Sequence, residues 1–367
     1  MARVLVAKLG TNLITTPDGL ADDAVIADTA RQVGALWREG CRVAIVSSGA
    51  VGAGVKVLGF NGRPKDLPRL QAAAAAGQPV LAARWSAALS DVGLKCGQVL
   101  VTREDIDDRG RFLNVRHTVD ALWRAGAVPV INENDTVSTA ELAGPTAGAD
   151  SFGDNDRLAA AVASALSAEL LVLLSTIPGL LDVDGQVVSD VADVADVAHL
   201  VRDSMSAGGT GGMASKLAAA RLVTAAGETM VLAHGRHQDV LLKAAHGEPV
   251  GTRFAPATGD RLRGRLRWVA HAAAAGQLIL DEGAVRAIQS GGASLLPAGV
   301  TQVTGDFARG DIVELTDGAG HTVARGVVEH DSAFCRSLAG KRSGELKREH
   351  GDAFQAELVH RDGLVIG

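Results

Sequence analysis

Through about the first 250 residues, short apolar runs alternate with longer segments whose apolar residues recur at helical spacing. Arg3 to Leu9 is almost wholly apolar and reads as a buried strand. Asp22 to Glu39 carries a helical apolar stripe, an acidic start and a glycine stop at Gly40, and reads as an amphipathic helix. The same rhythm predicts strands at Arg42 to Val46, Gly97 to Val101, Val128 to Ile131, Leu170 to Leu174 and Thr229 to Leu232. Helices are predicted at Asp66 to Asp91, with a break at Gly77 and Pro79, and at Arg111 to Arg124, Asp156 to Leu166 and Ala214 to Ala226. Strands that are apolar throughout, joined by helices, predict an α/β fold: an open, mostly parallel sheet sandwiched by helices. Ligands in such sheets lie at the carboxyl ends of the strands.

The pattern changes near Phe254. Ala255 to Gly259 has the look of a linker, and Arg261, Arg263, Arg265 and Arg267 then alternate with other residues. After Gly276 come short strand-like pieces at Gln277 to Leu280, Gly299 to Val303, Asp311 to Leu315 and Thr322 to Val328, with a helix at Glu282 to Gln289. The expected organisation is a first domain over 1–255, a linker over 256–275, a small β-rich domain over 276–353 and a loose C-terminal tail over 354–367.

Composition narrows the class. At 367 residues, two or three domains are favoured over one. Aromatics are only 3% and tyrosine is absent, so alanine, valine and leucine must fill the core. A net charge of −6 argues against a general nucleic-acid binder, whose surface must be basic. Cys41, Cys96 and Cys335 are odd in number and far apart, which fits neither a disulfide framework nor metal-ligand spacing and suggests the cytoplasm. The chain begins directly in a strand pattern, without the layout of a signal peptide, and contains no apolar run of about 18 residues, so no membrane span is expected.

Candidate chemistry gathers where strands end. Lys8 and Gly10 follow the first strand, Ser47-Ser48-Gly49-Ala50 the second, and Asn132-Glu133-Asn134-Asp135 the strand at Val128 to Ile131. A further cluster, Gly153-Asp154-Asn155-Asp156, opens a helix, and Gly208 to Gly212 precedes a helix with Lys216 in its first turn. Helix-start N–H groups beside a lysine make an anion site, although a flexible loop with a surface lysine has the same pattern. A lysine ending an apolar strand either meets a ligand or partner or snorkels to solvent. The acid and amide clusters suit Mg²⁺, a substrate ammonium, or the orientation of lysines. Gly52 and Gly54 are explained by close helix–sheet packing, and Trp37, Trp85 and Trp123 fall on core faces of helices. The histidines, His117, His199 and His234 among them, show no metal spacing.

Taken together, Val6-Ala7-Lys8-Leu9-Gly10-Thr11, Val46 to Ala50, Val130 to Asp135, Phe152 to Asp156 and Gly209 to Lys216 resemble the amino acid kinase family, and within it the glutamate 5-kinases. Asp281-Glu282-Gly283-Ala284 with Ser294 to Val300 is similar to the PUA domain that follows in those enzymes. The resemblance implies transfer of the ATP γ-phosphoryl group to the γ-carboxylate of L-glutamate, the first step of proline synthesis. It implies Lys8 and Lys216 as the cations at the transferring group, with Asp156 holding them apart and aimed. Gly10, Ser175, Thr176, Thr210, Gly211, Gly212, Met213, Ala214 and Ser215 would line ATP, and Ser48, Gly49, Asn134, Asp135 and Asn155 would hold glutamate. Mg²⁺ would bridge the ATP phosphates. L-proline as a feedback inhibitor and a homo-oligomer are further implied partners.

Two departures stand out. The family's aspartate after Ser or Thr at the end of the strand at Leu171 is replaced here by Ser175-Thr176-Ile177-Pro178. Ala143 to Ser151 resembles an insertion, suited to a mobile lid or to a plain insert. A rival reading is an RNA-binding or RNA-modifying protein acting through the PUA domain. From residue 256 onward there are 14 acidic and 13 basic residues, so RNA is not the expected partner, despite Arg261 to Arg267 and the cluster Lys341, Arg342, Lys347 and Arg348.

Overall fold

A computed structural model describes residues 3–16, 20–138, 155–202, 212–256, 269, 272–290, 293–341, 346, 348 and 357–366. The chain divides into two units, Met1–Arg261 and Leu262–Gly367, each with its own sheet.

In the first unit the strands are β1 (Val4–Leu9), β2 (Arg42–Val46), β3 (Lys95–Val101), β4 (Ala127–Glu133), β5 (Leu170–Ser175), β6 (Asp190–Val191), β7 (Thr229–His234) and β8 (Thr252–Phe254). They form one eight-stranded sheet in the order β3-β4-β2-β1-β5-β7-β8-β6. All neighbouring pairs are parallel except β7 with β8. The helices are α1 (Thr11–Ile14), α2 (Asp23–Arg38), α3 (Ala50–Val57), α4 (Leu67–Asp91), α5 (Arg103–Asp107), α6 (Arg109–Arg124), α7 (Asn155–Leu166), α8 (His199–Arg202), α9 (Met213–Ala225) and α10 (Val240–His246).

The alternation of side chains along a strand fixes what each face meets. Leu5, Ala7 and Leu9 of β1 enter a core with Val25, Val33 and Leu36 of α2, Leu81 and Trp85 of α4, and Val240 and Leu241 of α10. Val6 and Lys8 therefore point to the opposite face, where α7 packs against β1 and against α9. Helix α7 is buried on every side, and its alanines, Ala159 to Ala161 among them, let neighbours approach closely. Because β1 lies centrally with β2 on one side and β5 on the other, the order of winding reverses beside it. The crevice predicted for a ligand is at that reversal.

Helix α4 runs unbroken for 25 residues with Pro79 inside it, so the break expected at Gly77 and Pro79 does not occur. Packing outweighs the lost backbone hydrogen bond here. A Cβ at Gly77 would stand 1.9 Å from the Ala50 carbonyl oxygen, and one at Gly54 would stand 1.6 Å from that of Ala73. The backbones of α3 and α4 are therefore in direct contact, and Gly54 serves helix–helix rather than helix–sheet packing.

The second unit is a five-stranded sheet in the order β10-β9-β11-β12-β13, from β9 (Gly276–Leu280), β10 (Val300–Gly305), β11 (Ile312–Thr316), β12 (Thr322–Val328) and β13 (Val359–Ile366). It carries α11 (Glu282–Gln289) and α12 (Ser332–Leu338). Leu278, Leu280, Val313, Leu315, Ala324, Val328 and Val359 share its core. The loose tail expected over 354–367 is corrected by β13, which pairs antiparallel with β12. The polar His360-Arg361-Asp362 run interrupts the two-residue period that would mark it as a strand, and its pairing with β12 shifts register between Gly326 and Val328.

Candidate active site

Lys8 sits near the carboxyl end of β1 with only 4% of its surface exposed, so it does not snorkel. Its Nζ donates to Asp156 Oδ1 at 2.5 Å. Lys216, in the first turn of α9, donates from Nζ to Asp156 Oδ2 at 3.0 Å. One buried carboxylate thus engages two ammonium groups that are 208 residues apart in the chain, one on each oxygen. Taking three ionised groups out of water is costly unless each is paired, and here two cations share one carboxylate. Such a site is set to receive an anion.

The donor set beside it agrees. Helix α9 begins at Gly212, whose backbone is extended and which has no side chain to cap the helix, so no N-cap side chain competes with an outside acceptor for the first N–H groups. Ser215 Oγ is buried and has no hydrogen-bond partner among the described residues. Met213 is half-buried and Ala214 exposed on the same turn. Ser175 ends β5, where its carbonyl accepts from the Gly235 N–H at 2.8 Å, and Thr176 beyond it is exposed. Gly10 does not offer the free N–H expected of it, because that group already donates to the Leu174 carbonyl at 3.1 Å. The Lys8 ammonium lies beside Gly10, 3.6 Å from where a Cβ would stand, which is ordinary van der Waals contact. Thr210, Gly211 and Asp154, with the 143–151 segment, lie outside the described residues.

On the other side of β1 a polar network is built from α7, α4, β4 and the turn after β2. Asn155, at the start of α7, donates from Nδ2 to Ser48 Oγ at 2.7 Å, and to the Ser47 carbonyl and Asn132 Oδ1, each at 3.3 Å. Asn132 Nδ2 in turn donates to Gln78 Oε1 of α4 at 2.8 Å, and Trp85 Nε1 of the same helix donates to Ser47 Oγ at 2.9 Å. The turn into α3 is made by Gly49 at φ +101°, a left-handed conformation that favours glycine. Asn134 remains in its own turn, where its Oδ1 accepts from Thr136 Oγ1.

Two buried acceptors in this region, Asp135 Oδ1 and Asn155 Oδ1, have no hydrogen-bond partner among the described residues. The Asp135 carboxyl is raised to about 7, first by burial and then by the nearby charge of Glu133, with Arg63 opposing the rise. A reluctantly ionised carboxylate with one buried oxygen unmatched among the described residues suits a cation, which would supply that partner. Sequence reading brought Lys8, Lys216, Asp156, Ser48, Asp135 and Asn155 to this edge of the sheet. It passed over Gln78 and Arg63, took Trp85 as core alone, and named Glu133 only within the acid and amide cluster. The seven-residue spacing of Gln78 and Trp85 on one apolar helix was the available signal for that pair.

Comparison with known proteins adds names to this geometry. Residues 3–234 match the profile described as the amino acid kinase family, and residues 276–350 match the PUA domain. A protein of Streptomyces coelicolor named glutamate 5-kinase is 45% identical over 377 aligned residues, which span 100% of this chain and 96% of that one. A glutamate 5-kinase of Thermus thermophilus is 43% identical over 371, spanning 100% and 97%. A solved carbamate kinase from Giardia aligns with TM-score 0.50 at 16% identity, over 69% of this chain and 99% of that one, a likeness of fold.

Proposed function

The chain belongs to the amino acid kinase family and to its glutamate 5-kinase branch, and from that premise we propose that it transfers the γ-phosphoryl group of ATP to the γ-carboxylate of L-glutamate. The products are ADP and glutamyl 5-phosphate, at the opening of proline synthesis. The observation that carries this reading is the Lys8–Asp156–Lys216 bridge beside a second site where the buried Asp135 Oδ1 has no hydrogen-bond partner among the described residues.

A glutamate γ-carboxylate is ionised at neutral pH, so the reaction needs no general base. A carboxylate oxygen attacks the γ-phosphorus, the bond from that phosphorus to the β–γ bridging oxygen breaks, and the electron pair leaves with ADP. The protein's work is to bring two anions together and to stabilise charge on the group in transit. Lys8 and Lys216 do this, entering from β1 and α9, and Asp156 keeps them from drifting apart or collapsing onto each other. The open start of α9 and the Ser215 hydroxyl receive the nucleotide phosphates. Asp135 pairs with the substrate ammonium, and Ser48 and Asn155 orient the rest of the amino acid.

Mg²⁺ supplies neutralisation of the nucleotide phosphates. Among the described residues no three acidic, histidine or cysteine side chains converge to hold a metal, and both Asp156 oxygens are engaged by lysines. The residues present therefore fit an ion carried on the phosphates rather than one in a protein cage. No described helix is long and apolar enough to cross a membrane.

An ADP-release assay across glutamate, aspartate, N-acetylglutamate and UMP tests the reading. Turnover with glutamate alone, or at least a hundredfold better than with the others, is expected. N-acetylglutamate has no ammonium for Asp135, and preference for it would overturn the proposal.

A further inference from the structure

We propose that Gln78, from the middle of α4, is a positioning residue that holds the substrate-facing amide of Asn155 in its working orientation. The inference rests on the reading of this pocket as a glutamate site.

The chain of hydrogen bonds has a fixed direction. The Ser47 carbonyl can only accept, so the Asn155 atom that faces it at 3.3 Å must be Nδ2. The Asn132 atom meeting the same Nδ2 at 3.3 Å must then be Oδ1, which leaves Asn132 Nδ2 to find an acceptor elsewhere. Gln78 Oε1 is that acceptor at 2.8 Å. Turning the Asn132 NH₂ toward Asn155 would set two donors face to face and would require Gln78 to turn its own amide as well, so the acceptor that Gln78 presents favours the observed orientation. Asn155 Oδ1 is thereby kept as a buried acceptor with no partner among the described residues, as a substrate N–H group requires.

The backbone supports the placement. Gly77, just before Gln78, lies against the Ala50 carbonyl, so α4 cannot slide away from the helix that follows Ser47-Ser48-Gly49. Trp85, two turns on, holds Ser47 through its Oγ. Helix α4 therefore reaches the floor of the pocket at two points on one face, although neither side chain need touch substrate.

The test is steady-state kinetics of the full chain, varying glutamate and ATP separately, with thermal unfolding run alongside. Gln78→Leu removes the acceptor at similar size and should raise the glutamate KM about tenfold, the scale of one unsatisfied buried group, with kcat and the ATP KM within twofold. Gln78→Glu keeps an acceptor oxygen and should recover most of the loss. A glutamate KM within twofold of wild type in Gln78→Leu, or an equal rise for ATP, overturns the proposal. So does equal impairment of Gln78→Leu and Gln78→Glu. A second arm does not depend on wild-type stability. In an Asn132→Asp background both side-chain oxygens accept and no flip can present a donor to Asn155. Adding Gln78→Leu should then raise the glutamate KM no more than twofold further, and another tenfold would refute the relay. Wild-type chain without glutamate turnover would sink the substrate reading instead, which keeps the two failures apart.

Discussion

Asp135 gives the sharpest prediction, because its environment turns a carboxylate into a group that titrates near neutrality. Its carboxyl is raised from 3.8 to about 7, first by burial and then by the charge of Glu133. If the ionised form holds the substrate ammonium, protonation competes with binding. At pH 8 about nine-tenths of Asp135 is ionised in the free protein, and at pH 6 about one-tenth, so the glutamate KM should rise about tenfold between them. Neither carboxylate nor ammonium of glutamate titrates in that window. Asp135→Asn should show a raised KM that is flat over the same range. The same shift has a stability consequence of defined sign. Between about pH 4 and 7 the folded protein keeps a proton that the unfolded chain has lost, so stability falls as pH rises through the window. At 1.36 kcal/mol per pH unit the cost reaches about 4 kcal/mol above pH 7. Asp135→Asn escapes it, so its unfolding free energy should gain on wild type as pH goes from 4 to 8. Glutamate kinetics at pH 6, 7 and 8 with saturating ATP, and urea unfolding across the same range, are the assays. A wild-type KM constant within twofold, or lower in acid, refutes the reasoning.

Four other substitutions probe separate parts of the account. Lys8→Ala and Lys216→Ala should each lower kcat by about 10²-fold or more, the scale of losing one transition-state donor, and near-normal single-turnover rates in either would remove it from the mechanism. Asp156→Asn leaves two buried ammonium groups without their anion and should cost about 3–5 kcal/mol in urea unfolding as well as activity; unchanged stability would mean that the bridge is not the compensating pair it looks. Gly54→Ala drives a methyl group into the Ala73 carbonyl, so α3 and α4 must part, and the denaturation midpoint should fall by the equivalent of about 1–3 kcal/mol or more.

The sheet was legible from sequence because its strands are short, apolar and separated by helices with clear ends. Asp22 caps α2 through its side chain, and Gly40 and Gly126 take positive φ just past α2 and α6. The lysines were legible because a charge at the end of an apolar strand, and another in the first turn after a glycine run, are both conspicuous. Their convergence on the two oxygens of Asp156 was not, since it depends on α7 and α9 packing closely through alanines. Pro79 suggested a break that the contact of Gly77 with α3 prevents. Strand β13 was missed because its middle is charged, and the antiparallel pairing of β8 with β7 because β8 has only three residues. Gln78 reads in the sequence as one polar position on a helix, and only the fold shows that it faces Asn132.

The most direct measurement is a crystal structure of the chain with a non-hydrolysable ATP analogue, Mg²⁺ and glutamate. The account predicts γ-phosphate oxygens within hydrogen-bond distance of both Lys8 Nζ and Lys216 Nζ, with the amino acid's ammonium on Asp135. Terminal phosphates bound away from either lysine, or glutamate seated with its ammonium remote from Asp135, would contradict it.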